Sequence, residues 1–312
     1  MLIQACLNGS RAPGEHPGLP IHPAELADAA LRCIVAGAGA LHIHPRATDG
    51  TQTLDPTAQA AAIVAIRARC PALPLGVSTA AWIEPDPARR LALIQHWRTL
   101  PDHASVNLAE AGAVDLCHAL LARGIGVEAG LASADDVDRL HAAGLAAACL
   151  RVLVEPPEAT AASALATAQQ ILAALDRHAI AVPRLLHGAE GAAWPVLDLA
   201  VRLGYDTRIG LEDTLLLPDA RLAADNAELV AEAVRRIAAS YMRASPTGST
   251  SFVARHSCRQ AKGGSSCSGW WGSASDSDDG PSGKSGVSSR KPFGQARAGT
   301  VASPVGRLWR TF

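Results

Sequence analysis

The chain has 312 residues, 48% of them hydrophobic, 4% aromatic and 18% charged, with a formal net charge of −1. Such a composition supplies an ample core and no general attraction to polyanions, so nucleic acid is not an expected partner. No apolar run reaches the roughly 18 residues a membrane helix needs, and Met1-Leu2-Ile3-Gln4 carries no charged leader, so a cytoplasmic protein with no membrane partner is expected.

In chain order, short apolar runs alternate with amphipathic stretches. Strands are expected at residues 2–7, 40–44, 74–79, 104–108, 126–130, 149–154, 184–187 and 207–212. Between them lie helix-start signals: Pro23-Ala24-Glu25-Leu26 after His22, Asp55-Pro56, Pro85-Asp86-Pro87, Ser133-Ala134-Asp135-Asp136, and Asp225-Asn226 ahead of residues 227–237. Eight strand–helix units in this length match a (β/α)₈ TIM barrel, typically ~250 residues. A doubly wound sheet is the competitor, but Asn8-Gly9-Ser10-Arg11 after the first strand is no Gly-rich phosphate loop.

Near residue 240 the composition changes. Every lysine (Lys262, Lys284, Lys291) and every phenylalanine (Phe252, Phe293, Phe312) lies beyond it, among runs such as Gly263-Gly264-Ser265-Ser266. Residues 1–240 are therefore expected to form the barrel, and 241–312 a Ser/Gly-rich disordered tail that cannot bury enough surface to offset its ordering entropy. The seven cysteines show no CxxC or CxxH spacing, which suggests small buried residues rather than disulfides or a thiolate metal site.

Barrel active sites sit at the C-terminal ends of the strands. The polar residues expected there are His42 and His44, Ser78 with Thr79, Ser105 and Asn107, Glu128, Arg151 and Glu155, His187, and Arg208 with Glu212. His42 and His44 are two apart and so share one face of a strand. Strands two and eight both flank strand one, so an inward Glu212 can meet them, giving two imidazoles and a carboxylate: a catalytic zinc pattern that Mn²⁺, Co²⁺ or Fe²⁺ would also accept. Asp213 would face away from a regular strand and enters the site only if the chain turns there. The blander alternatives are a core histidine for His187, a plain ion pair for Arg208 with Asp213, internal hydrogen bonding for Ser78 and Ser105, and mutual charge balance among Glu128, Arg151 and Glu155.

His42-Ile43-His44-Pro45-Arg46, Ser78-Thr79, Ser105-Val106-Asn107 and Arg208-Ile209-Gly210-Leu211-Glu212-Asp213 resemble the β-keto acid cleavage enzymes, a zinc-dependent (β/α)₈ family. The resemblance covers residues 1–240 and includes Leu19-Pro20-Ile21-His22-Pro23-Ala24-Glu25. It implies condensation of a β-keto acid with acetyl-CoA as co-substrate, then cleavage to acetoacetate and a new CoA ester. In that scheme His42, His44 and Glu212 hold Zn²⁺ or another divalent transition metal. Asp213, oriented by Arg208, is the base, and Ser78 and Ser105 orient substrate or stabilise oxyanions. Thr79, Asn107, Glu128 and Glu15 are the expected substrate contacts, and a homo-oligomer, dimer or tetramer, is implied. Where the family carries a glutamate after strand one, this chain has Asn8-Gly9-Ser10, with Glu15 later. With no lysine before residue 240, CoA phosphates are left to arginines such as Arg11, Arg46, Arg89 or Arg90. Two further hypotheses are a metal-dependent C–C lyase or hydrolase acting without CoA, and a non-catalytic barrel that binds metal and a carboxylate.

Overall fold

The alternation of apolar runs and capped helices is realised, in a computed structural model that describes residues 1–244, as eight parallel strands closed into a barrel in the order β1 to β8. The strands are β1 Ile3–Cys6, β2 Ala40–Ile43, β3 Leu75–Ser78, β4 His103–Asn107, β5 Gly126–Leu131, β6 Arg151–Val154, β7 Arg184–Leu186 and β8 Asp206–Ile209. Each is followed by a helix: α1 Pro23–Ala36, α2 Pro56–Arg69, α3 Pro87–Gln95, α4 Ala113–Ala122, α5 Ala134–Ala142, α6 Ala161–Arg177, α7 Ala193–Leu203 and α8 Asn226–Ala244. The expected start signals act as caps. Asp55 accepts from the amides of Thr57 and Ala58, Asp86 from those of Ala88 and Arg89, and Asp136 from that of Ser133. The expected tail lies, from residue 245 on, outside the described residues. No described helix is long and apolar enough to cross a membrane.

The strands are buried on both faces but for opposite reasons. Ile43, Val77, Ala104, Val127, Val152, Leu186 and Ile209 point outward and are buried under the helices, forming the apolar core. The register places Cys6 opposite His42, His42 opposite Gly76, Ser78 opposite Ser105, and Glu128 opposite both Ser105 and Arg151, all facing the barrel axis. The interior is thus unusually polar. Glu128 Oε1 accepts from Gln4 Nε2 at 2.9 Å and lies 3.1 Å from Arg151 Nε and 3.6 Å from His103 Nε2. Gly76 makes room for that imidazole, since a Cβ there would collide with it. Mutual pairing is what makes such burial tolerable, because an unpaired charge there would cost several kcal/mol. The five described cysteines, Cys6, Cys33, Cys70, Cys117 and Cys149, are all free and buried.

Two strand ends shape the site, and both fall short of the expected bounds. β2 stops at Ile43, and His44 continues its line because Asn8 takes over the ladder: its Oδ1 accepts from His44 N–H at 2.9 Å and its Nδ2 donates to His44 O at 2.9 Å. β8 stops at Ile209 rather than running to residue 212. Gly210 O accepts from the amides of both Asp213 and Thr214 and so closes a turn. That turn needs a glycine, because a Cβ at 210 would run into the carbonyl of Cys6.

Candidate metal centre and active site

The turn after β8 brings both of its carboxylates to the barrel mouth, which a regular strand could not do. Glu212 Oε1 lies 3.5 Å from His44 Nε2 and Glu212 Oε2 lies 3.9 Å from His42 Nε2. Three ligand atoms at about 2.0–2.1 Å from one tetrahedral ion stand roughly 3.4 Å apart, so the spacing is close to that of a metal site before it closes on its ion. Among the described residues this trio is the one group so disposed. One free valence agrees: Glu212 Oε2 is buried without a hydrogen-bond partner. Burial drives the His42 pKa well below its ordinary value, so the ring is neutral, the form in which an imidazole can accept a metal. Burial alone would raise Glu212, but Arg208, His44 and His42 outweigh it and hold the carboxyl well below the usual range.

The support around the trio fixes how it points. Gln52 Oε1 lies 2.6 Å from His44 Nδ1 and can only accept, so Nδ1 carries the proton and Nε2 keeps its lone pair for a metal. Trp82 donates to the same oxygen at 3.3 Å and stacks its exposed ring along His44. Beneath Glu212 is Gly9, with φ +50° and no space for a Cβ, which would collide with the Glu212 side chain. Cys6 lies just below, and burial holds its thiol well above the ordinary value, so it is no nucleophile.

Arg208 ties the two carboxylates together. Its Nη2 donates to Glu212 Oε1 at 2.8 Å and to Asp213 Oδ1 at 2.9 Å, and its Nε reaches the same Asp213 oxygen at 3.2 Å. Asp213 Oδ2 is left buried and unpartnered. Burial raises the Asp213 pKa although Arg208 and His187 pull the other way. His187 Nδ1 lies 3.6 Å from Asp213 Oδ1, and its Nε2 lies 3.1 Å from Glu155 Oε2. Burial lowers His187 to about 3, leaving it neutral, and raises Glu155 to about 7.

Of the other expected contacts, Ser78 and Ser105 face the interior, with Ser78 Oγ accepting from Ala80 N–H at 3.4 Å. Thr79 falls just past β3 and donates to Ser105 O at 2.6 Å, bracing β3 against β4. Asn107 donates to Glu110 Oε1 at 2.8 Å. Glu128 is placed away from the mouth, since its register sinks it into the Gln4–His103–Arg151 layer with no exposure. Glu15 pairs with Arg11 at 2.8 Å and caps Ala12 N–H in the loop after β1. Arg11 also bonds Glu190 at 2.5 Å and Leu211 O at 3.0 Å, locking three loops of the mouth together. Arg46 is spent on the carbonyls of Gly9, Arg11 and Gly50, and Arg90 on Ala111 O and Glu110. Glu155 does not pair with Arg151, which goes to Glu128; it meets His187 instead. The parity of His187 and Glu155 was visible in the sequence, whereas the roles of Asn8, Gly9 and Gln52 carried no local signal.

The sequence model described as beta-keto acid cleavage enzyme matches residues 1–248. No curated protein matches the chain. Among solved structures, the ternary complex of ObcA with C4-CoA adduct and oxalate is similar with a TM-score of 0.60 at 18% identity, covering 72% of this chain and 64% of that one. The binary complex of ObcA with oxaloacetate is similar with a TM-score of 0.55 at 18% identity, over 70% and 63% of the two chains. The chain thus spans less than two thirds of the length of these structures, and at that identity the likeness is one of fold.

Proposed function

The chain belongs to the β-keto acid cleavage enzyme family, and we propose that it cleaves a small β-keto acid at a divalent metal, Zn²⁺ in the first instance, with acetyl-CoA as co-substrate. The observation that carries this reading is the convergence of His42, His44 and Glu212 with the Arg208–Asp213 pair at one barrel mouth. A metal held by the trio would supply Lewis acidity at the keto carbonyl, which acidifies the carbon between carbonyl and carboxylate. The protein's own part follows from its geometry. Arg208 keeps Glu212 ionised and holds Asp213 by Oδ1, which leaves Oδ2 free to take the carbon-bound proton. The resulting carbanion takes the acetyl group from acetyl-CoA. The released CoA thiolate then adds to the original keto carbonyl and the carbon–carbon bond breaks. Asp213 returns its proton to the departing carbon, giving acetoacetate and a new CoA ester. Ser78 and Ser105 line the interior where developing oxyanions need donors.

A second reading, cleavage without CoA, draws support from the arginines. Arg46 and Arg90 are committed to backbone carbonyls and to Glu110, and Arg11 to two carboxylates, so of the four named for CoA phosphates Arg89 is the most exposed. One assay separates the readings: metal-loaded protein with a panel of β-keto acids, with and without acetyl-CoA, following acetoacetate and free thiol. Turnover dependent on acetyl-CoA is expected. Equal turnover without it selects the lyase, and metal and keto acid binding without turnover selects the non-catalytic barrel.

A further inference from the structure

The carbonyl of Asp213 is held from the loop after β7 by a residue whose own backbone is strained. Glu190 N–H donates to Asp213 O at 2.6 Å, and Glu190 lies at φ +51°, in the left-handed region that a residue with a side chain rarely adopts. Gly188 and Gly191 flank it, yet neither takes that conformation. Among the described residues only Ala179 and Ala220 share it without being glycine. Contacts from outside the loop must hold Glu190 there. Its Oε1 accepts from Arg11 Nη2 at 2.5 Å. Arg11 is itself fixed by Glu15 at 2.8 Å, and its Nε donates to Leu211 O at 3.0 Å. One guanidinium therefore grips the start of the 211–213 turn directly and its end through Glu190.

The other half of the turn is anchored elsewhere. Leu211 N–H donates to Asn226 Oδ1 at 2.8 Å and Glu212 N–H to Cys6 O at 3.3 Å, so the carboxylate that faces the two imidazoles is tied to β1 and α8. Asp213 N–H closes the turn on Gly210 O, and its carbonyl goes to Glu190. We propose that Glu190 is a positioning residue for Asp213: held left-handed by Arg11, its amide clamps the end of the turn and keeps Asp213 Oδ2 aimed at the substrate carbon. The proposal rests on the reading of Asp213 as the base. A misplacement of about 1 Å at a reacting group can cost about 10²-fold in rate. The proposed metal ligands, anchored separately, stay in place when the clamp is lost.

The test uses the full-length metal-loaded protein and two substitutions that both remove the carboxylate. Glu190→Val disfavours the left-handed backbone, where a β-branched side chain is an outlier, whereas Glu190→Gly allows it freely. Hydrogen exchange at the amide of position 190, corrected for intrinsic rates, should quicken about 10-fold or more in Glu190→Val and stay within about threefold of wild type in Glu190→Gly. With acetyl-CoA and a β-keto acid, kcat should fall about 10- to 100-fold in Glu190→Val while KM and metal content hold, because the loss falls on the transition state. Glu190→Gly should recover most of that loss. Equal loss in both variants overturns the clamp and makes the carboxylate itself the working group, and full activity in both overturns it as well. If Glu190→Val does not fold, Arg11→Gln takes its place, and unchanged exchange at the Glu190 amide overturns the clamp. The expected exchange pattern in a protein that turns over no keto acid keeps the clamp and removes the cleavage reading. Turnover with equal exchange in wild type and both variants does the reverse.

Discussion

Three neighbouring side chains, Arg208, Glu212 and Asp213, carry the division of labour at the residue scale. Arg208 bonds both carboxylates, yet their free oxygens face different tasks: Glu212 Oε2 points to the imidazoles and Asp213 Oδ2 does not. Their substitutions should therefore fail differently. Glu212→Gln replaces the oxyanion of the proposed ligand with a neutral amide, and metal content by elemental analysis should fall from near one per chain to near zero. Asp213→Asn should keep its metal and lose about 10²-fold or more in turnover. Full activity in Asp213→Asn would remove it as the base. Gly9→Ala tests the floor of the site. Its methyl group would strike Glu212, and its φ of +50° strains any other residue, so metal affinity should fall even though no ligand has changed.

At the scale of elements, the strand ends do the positioning, and they are also where the sequence is hardest to read. The eight strands and the helix caps were legible because apolar runs and Asp-Pro or Ser-x-x-Asp signals are local. So was the inward phase of His42, Ser105 and Arg208, which follows from the period of two along a strand. The end of β8 was not. Arg208, Gly210 and Glu212 share parity, which suggests a longer strand, but Gly210 presses against the Cys6 carbonyl and the chain turns, admitting Asp213 beside Glu212. Glu128 is a related case: parity points it inward but does not give its depth, which its partners Gln4, His103 and Arg151 set. Asn8 acts from the end of β1, where its amide replaces two ladder hydrogen bonds to hold His44 in line with β2. Asn8→Ala should leave the barrel folded, with unchanged far-ultraviolet circular dichroism, and weaken metal binding about 10- to 100-fold, as loss of a supporting hydrogen bond at a metal site does. Unchanged metal affinity would mean that the β2 end is held by its own packing.

Over the whole molecule, the barrel keeps its apolar core outside the sheet and its polar groups inside, so stability and site chemistry respond to pH through the same buried residues. His187 and Glu155 pull in opposite directions. His187 has its folded pKa lowered from 6.5 to about 3, so between those values the unfolded chain binds the extra proton, and this contribution to stability is lost as pH falls below about 6.5. Glu155 has its folded pKa raised from 4.5 to about 7, so over that window the folded chain holds the extra proton, and stability declines as pH rises from about 4.5 to 7. Between about pH 4.5 and 6.5 the two slopes oppose each other, and the pair contributes little net dependence. Glu155→Gln removes one slope and leaves the other. Denaturant unfolding of the variant should therefore show stability rising with pH from 4.5 to 6.5 more steeply than in wild type. Relative to wild type, the variant should gain on passing from pH 5 to pH 8, by at most about 3 kcal/mol, because wild type must then ionise a largely buried carboxyl. If the two pH profiles run parallel, Glu155 titrates in the folded protein as it does in the unfolded chain, and its burial beside His187 is relieved by water or by motion of the mouth.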